Sequence, residues 1–232
     1  MILRHELKFQ IDALEHDVLQ KKLRTVLKPD PNMKPRDWYN VRTLYFDDYK
    51  DSALQEKEAG IYKRKKYRLR IYNHSDSVIK FECKNKIGSH NYKETARINR
   101  KLADQLIVGD YSSLTVSDND LLKGFYLESR YRLMRPVVIV EYERQAFIHP
   151  IGNVRITFDT CLRVGFDTAS FFNKNIPLMR VLDPLDTILE VKYNEVIPQY
   201  IRGLFPDTIP PHLAIGKFVI CRSKQINQRS LQ

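Results

Sequence analysis

Cysteine is scarce, with three in 232 residues. Cys83, Cys161 and Cys221 are odd in number, widely spaced and free of any Cys-x-x-Cys pair, which argues against a disulfide framework and a zinc site. Cys83 and Cys161 sit among apolar residues and read as inert fillers. No apolar run is long enough to span a bilayer, and Arg4, Glu6 and Lys8 interrupt the N-terminus where a signal peptide would be apolar. A soluble, cytoplasmic chain without a membrane segment is therefore expected. Eight glycines and eleven prolines are too few for a low-complexity chain, and neither repeat nor linker divides it. Acid is also in short supply: 28 Asp and Glu against 39 Lys and Arg leave a net charge of +11.

With 43% apolar residues, the chain has material for one substantial core, and residues 1–232 read as a single domain with a loose tail from about Lys224. The basic balance points to a polyanionic partner, whether nucleic acid, anionic membrane or phosphorylated small molecules. Zinc-finger, helix-turn-helix and RNP-type aromatic patterns are missing, and arginine interleaved with glutamate on strands is unlike a basic groove, so nucleic acid is not expected.

The pattern that organises the chain is KYRLRIYNHSDSVIKFECKNK, residues 66–86. It reads as two strands and a polar turn, charged on every second residue. Arg68 and Arg70 share one face, as do Lys80, Glu82 and Lys84, while Tyr67, Leu69, Ile71, Ile79, Phe81 and Cys83 point the other way. The same alternation marks Arg4, Glu6 and Lys8 in residues 2–9, then Lys93, Thr95 and Arg97, then Arg155, Thr157 and Asp159, then Glu190 and Lys192. Residues 39–47 and 136–148 add strands, and 213–223 reads as a last strand carrying Lys217. Glu141 and Glu143 fall on one face of 136–148, with Arg144 and Tyr142 on the other unless a bulge realigns them. Helices are expected over about 12–27 behind an Asp12–Glu15 capping box, and near 50–60, 99–108, 118–134 and 197–205.

About eight mostly antiparallel strands with flanking helices make an α+β fold. Burying so many charges dry would cost several kcal/mol per ion, so two arrangements remain. Either apolar faces pack inward and the charges are solvated outside, or the sheet closes around a wet, charged lumen while helices cover the apolar exterior. Periodicity alone does not separate them.

The ordered set Arg4-x-Glu6-x-Lys8, Tyr45-Phe46-Asp47, Arg68-x-Arg70, Glu82-x-Lys84, Lys93 near Arg97, Tyr142-x-Arg144, Arg155-x-Thr157-x-Asp159, Glu190-x-Lys192 and Lys217-Phe218 resembles the VTC domain. This is the polyphosphate polymerase module within the triphosphate tunnel (CYTH-like) superfamily, and the resemblance runs from about residue 3 to 220. It implies a closed antiparallel β-barrel of about eight strands forming a charged tunnel, with flanking helices. It also implies a transferase that moves the ATP γ-phosphoryl group onto a growing inorganic polyphosphate chain with Mn²⁺ or Mg²⁺. Carried over by position, the phosphate-binding residues are Lys8, Arg68, Arg70, Lys84, Lys93, Arg144, Arg155, Lys192 and Lys217. Of these, Arg68, Arg70, Lys84 and Lys192, together with Glu190, form the catalytic set. Glu190 is the metal ligand; Glu6 either joins it or neutralises Arg4 or Lys8. Gly216 departs from the serine often found before the lysine.

ATP and polyphosphate are the implied partners, and moving the product across a membrane would require a membrane-protein partner; oligomeric state stays open. Two alternatives share the same tunnel: a triphosphatase acting on inorganic or nucleoside triphosphate, and a non-catalytic polyphosphate-binding protein. Hydrolytic relatives commonly begin Glu-x-Glu-x-Lys, and Arg4 in the first acidic position favours polymerisation. Like-charge crowding predicts that Arg68→Ala or Arg70→Ala leaves the thermal midpoint unchanged or raised. His5 and the other histidines read as incidental, and Trp38 and Tyr39 as packed aromatics rather than an adenine shelf.

Overall fold

Alternation along the strands sorts charge to one face of a single large sheet and apolar side chains to the other. The computed structural model describes residues 5–88, 90–205 and 216–229; Arg4 lies outside them. The strands are β1 (His5–Ile11), β2 (Lys28–Pro29), β3 (Tyr39–Asp47), β4 (Lys63–Tyr72), β5 (Ser75–Ile87), β6 (His90–Ile98), β7 (Arg135–His149), β8 (Val154–Gly165), β9 (Met179–Arg180) and β10 (Thr187–Tyr193). The helices are α1 (Ala13–Val26), α2 (Ser52–Glu58), α3 (Arg100–Ile107), α4 (Asp120–Arg132), α5 (Gln199–Arg202) and α6 (Lys217–Arg229). The sheet order is β1-β10-β8-β7-β3-β4-β5-β6, antiparallel throughout, with β2 beside β7 and β9 beside β8.

The fold is α+β, but the expected closed barrel does not form. Among the described residues no backbone ladder joins β1 to β6, although their Cα atoms come within 8 Å of one another. Closure needs strand number, tilt and stagger to agree. Here the sheet curls far enough to bring its edges together, and a side-chain bridge occupies the seam instead: Lys84 on β5 donates to both Glu6 oxygens on β1, at 2.9 and 2.8 Å.

Helices cover the apolar face. The alternate residues Tyr67, Leu69, Ile71, Ile79, Phe81 and Cys83 are buried under Ala103, Leu106 and Ile107 of α3 and Leu121, Leu122 and Phe125 of α4. On the other half of the sheet, Phe147, Ile156, Phe158, Leu189 and Val191 pack under Leu19 and Leu23 of α1. Asp12 caps α1 by accepting from the Glu15 amide, and the Glu15 carboxylate accepts from Asp12 N–H in return, as the capping box predicts.

One local expectation is corrected. The segment expected as a last strand is helix α6 from Lys217 onward, with 206–215 outside the described residues. Its buried residues Phe218, Cys221, Arg222 and Gln225 recur at i, i+3, i+4 and i+7, a helical stripe that packs on Tyr45, Val138, Val140 and Leu162. Helix α6 runs through Arg229 and so takes in part of the segment expected as a tail from Lys224; residues 230–232 lie outside the described residues.

Candidate functional site

The charged face lines one cavity of about 1640 Å³, walled by fourteen lysines and arginines and three glutamates. Every site residue drawn from the sequence lies in that wall: Glu6 and Lys8 from β1, Arg68 and Arg70 from β4, Lys84 from β5, Lys93 from β6, Arg144 from β7, Arg155 from β8, Glu190 and Lys192 from β10, and Lys217 from α6. Register explains the convergence. Lys8 stands opposite Glu190 and Glu6 opposite Lys192 between β1 and β10, while Arg68 faces Glu82 between β4 and β5. Cross-strand pairs of opposite charge are favourable at that separation.

Carboxylates behind the wall hold the cations in place. Glu82, with 0% exposure, accepts from Arg68 Nε at 2.8 Å and Lys93 Nζ at 2.6 Å, with Arg70 Nη1 3.7 Å away. Burial pushes its carboxyl up, but Arg68, Arg70 and Lys93 together hold it far below the usual carboxylate range. Arg144 makes a two-pronged contact with buried Asp159 at 2.6 and 2.7 Å, and Lys217 reaches the same carboxylate at 2.6 Å. Lys217 arrives from a helix N-terminus rather than from a strand. Arg155 pairs with buried Asp30 at 2.6 Å and donates to Tyr39 Oη at 3.0 Å. Tyr142 lies between two cations, with Arg144 5.1 Å and Lys217 5.0 Å from its ring centroid.

Glu6 and Glu190 share Lys8, whose Nζ lies 2.6 Å from one and 3.6 Å from the other, and Lys192 donates to Glu190 at 2.9 Å. Burial and neighbouring Glu190 push the Glu6 carboxyl up, yet Lys84, Lys192 and Lys8 hold it below its ordinary value. Glu190, raised by burial, is held well below by Lys192, Lys8 and Lys217. Among the described residues no group of three or more His, Cys, Asp or Glu side chains is placed to hold a metal ion by itself. Glu6 and Glu190, both within reach of Lys8, are the carboxylates of this corner. One or two carboxylates are what a Mg²⁺ or Mn²⁺ ion that draws its other ligands from phosphate and water needs.

The bulge weighed for β7 falls on β8 instead, where Cys161 has φ 52° and the register shifts opposite Glu141 and Glu143. Apart from an extra residue at Val137 opposite β3, the alternation along β7 therefore survives through Glu141–Arg144. Arg144 and Tyr142 face the cavity, while Glu141 and Glu143 turn outward to buried Arg42 and to Arg163. The bulge also carries Arg163 out of the row begun by Arg155, Thr157 and Asp159.

Sequence reasoning left five further wall cations out of the phosphate-binding set: Lys80, although it shares a face with Glu82 and Lys84, and Lys57, Arg64, Lys66 and Lys86. Arg64 and Lys66 continue the alternation of Arg68 and Arg70, and Lys86 continues that of Lys84, so the signal was present. It also passed over Asp159 as the anchor of Arg144.

The VTC domain model matches residues 3–224. The chain belongs to the VTC-domain family. No curated protein matches it. Among solved structures, this VTC domain is similar to the PH1819 protein of Pyrococcus horikoshii OT3, at 12% identity and TM-score 0.49, over 95% of this chain and 99% of that one. It is also similar to a candidate adenylate cyclase of Bacillus halodurans, at 8% identity and TM-score 0.48, over 88% of each chain. No helix among the described residues of the VTC domain is long and apolar enough to cross a membrane.

One cavity lysine makes the VTC domain's stability depend on pH. Lys66 is pushed down to about 7, by burial first and then by Lys57, Lys84, Arg64 and Lys8. Unfolded, it keeps its proton up to its ordinary value of 10.5. Between those values the unfolded state binds more protons, so raising the pH stabilises the fold; below 7 the penalty is fully present. Thermal melts are expected to show Lys66→Met more stable than wild type at about pH 6, with the difference shrinking toward about pH 10. A difference independent of pH contradicts the assignment.

Proposed function

We propose that this VTC domain is a polyphosphate polymerase, taking the γ-phosphoryl group of ATP onto the end of a polyphosphate chain. The observation that carries the reading is the convergence of all nine candidate phosphate-binding cations on one cavity. Linked phosphates present a row of anionic oxygens; arginine meets them with paired N–H donors and lysine with a compact charge. A terminal phosphate oxygen of the chain attacks the γ-phosphorus, the bond to the β–γ bridging oxygen breaks, and ADP leaves with that electron pair. Arg68, Arg70, Lys84 and Lys192 hold and neutralise the reacting phosphates. Glu190, with Glu6 beside it, would hold Mn²⁺ or Mg²⁺, which when bound supplies charge neutralisation across the phosphates.

The state of the acids that pair with Arg68, Arg144 and Lys192 favours transfer over hydrolysis. Glu82, Asp159 and Glu190 are all ion-paired and held below the carboxylate range, which makes them weak proton acceptors. A phosphate terminus is already anionic and needs no base, whereas an attacking water must lose a proton. The chain incubated with ATP and Mn²⁺ is expected to yield ADP and long-chain polyphosphate in step. Orthophosphate accumulating without chains would replace this reading with the triphosphatase, and tight binding without turnover would leave a polyphosphate-binding protein.

A further inference from the structure

Five cations in the same cavity wall have no carboxylate partner among the described residues: Lys80, which stands opposite Arg70, and a group of four. Lys57 from α2, Arg64 and Lys66 from β4, and Lys86 from β5 line it together, yet none has a carboxylate of a described residue within 4.0 Å. The ladder sets the three strand residues on alternate rungs, Arg64 opposite Lys86 and Lys66 opposite Lys84. Among the described residues, buried Arg64 reaches the Glu56 carbonyl, at 3.4 Å, and the Lys66 ammonium the Phe218 ring, 4.4 Å from its centroid. Burial depresses each of the three lysines, and the group then depresses its own members: Arg64 acts on Lys57, Lys66 and Lys86, and Lys57 acts on Lys66. Lys8 adds to all three, and Glu6 opposes it at Lys86 alone. Clustered cations without a counter-ion form a site that an anion completes. A second cavity of about 650 Å³ adjoins here and shares Lys57, Arg64, Lys86 and Gly216 with the first.

We propose that Lys57, Arg64, Lys66 and Lys86 form a second anion subsite, which takes the phosphates of a polyphosphate chain beyond those held around Arg68 and Arg70. The proposal rests on the polyphosphate reading of the cavity. Arg64 and Arg68 stand about 13 Å apart along one strand face, farther than three linked phosphates extend. A longer chain therefore gains contacts that tripolyphosphate does not.

The test titrates tripolyphosphate and long-chain polyphosphate into wild type, Arg64→Met/Lys66→Met and, as a variant that leaves β4 intact, Lys57→Met, at fixed ionic strength. The double variant is expected to lose about tenfold or more in long-chain affinity while tripolyphosphate affinity stays within about threefold, with Lys57→Met following the same pattern more weakly. Thermal midpoints at or above wild type belong to the same expectation, because repulsion is relieved. Equal losses for both ligands, or none for either, overturn the subsite. Wild type that binds tripolyphosphate but gains nothing from a longer chain overturns the subsite alone. Wild type that fails to bind tripolyphosphate overturns the underlying reading with it.

Discussion

Replacing Arg68 with alanine is expected to cut tripolyphosphate affinity by about 10- to 100-fold, the worth of one or two charge-assisted hydrogen bonds. The same change should lower the thermal midpoint. Charge crowding read from the sequence predicts no change or a rise, but buried Glu82 reverses the sign. Arg68 Nε meets that carboxylate at 2.8 Å, and removing it leaves a buried charge held only by Lys93 at 2.6 Å and Arg70 at 3.7 Å. Two partners remain, so the loss falls below the roughly 3–5 kcal/mol of a wholly stranded buried ion. Glu82→Gln added to Arg68→Ala should recover the midpoint without recovering binding. Calorimetric titration and melting of the single and double variants check both halves. A stable Arg68→Ala chain with intact affinity would remove Arg68 from the site.

Glu190→Gln is expected to abolish metal-dependent turnover, by about 100-fold or more, while metal-free binding of polyphosphate holds or tightens. Glu190 restrains Lys192 at 2.9 Å, Lys8 at 3.6 Å and Arg144 at 3.6 Å. Without its charge those three cations are released toward an anion, so binding and turnover should move in opposite directions. A purely structural glutamate would lower both together. Product formation with Mn²⁺, set beside calorimetric binding without metal, separates the two cases.

Much of the site was legible because a strand repeats every two residues. Arg68 with Arg70, Lys84 with Glu82, and Glu190 with Lys192 declare a shared face by spacing alone, and the apolar residues between them declare the other. Which face turned inward was not legible, since charges on a solvated exterior give the same alternation. That choice depends on α1, α3 and α4 lying over the apolar side. Closure was not legible either: whether β1 and β6 meet by backbone or by Lys84 reaching Glu6 depends on accumulated curl. The Val219–Ile220–Cys221 run looked like a strand, because β-branched residues outweighed the helical stripe of Phe218, Cys221 and Gln225. Lys57 was hidden for another reason. It sits on a short helix, and only the tertiary fold brings it beside Arg64 and Lys66.

A crystal of this chain soaked with tripolyphosphate and manganese tests the central claim most directly. Phosphate oxygens within hydrogen-bonding distance of Arg68, Arg70 and Arg144, with the metal on Glu190, are the predicted result. Phosphates seated outside the cavity, while those arginines keep only their carboxylate partners, would contradict it.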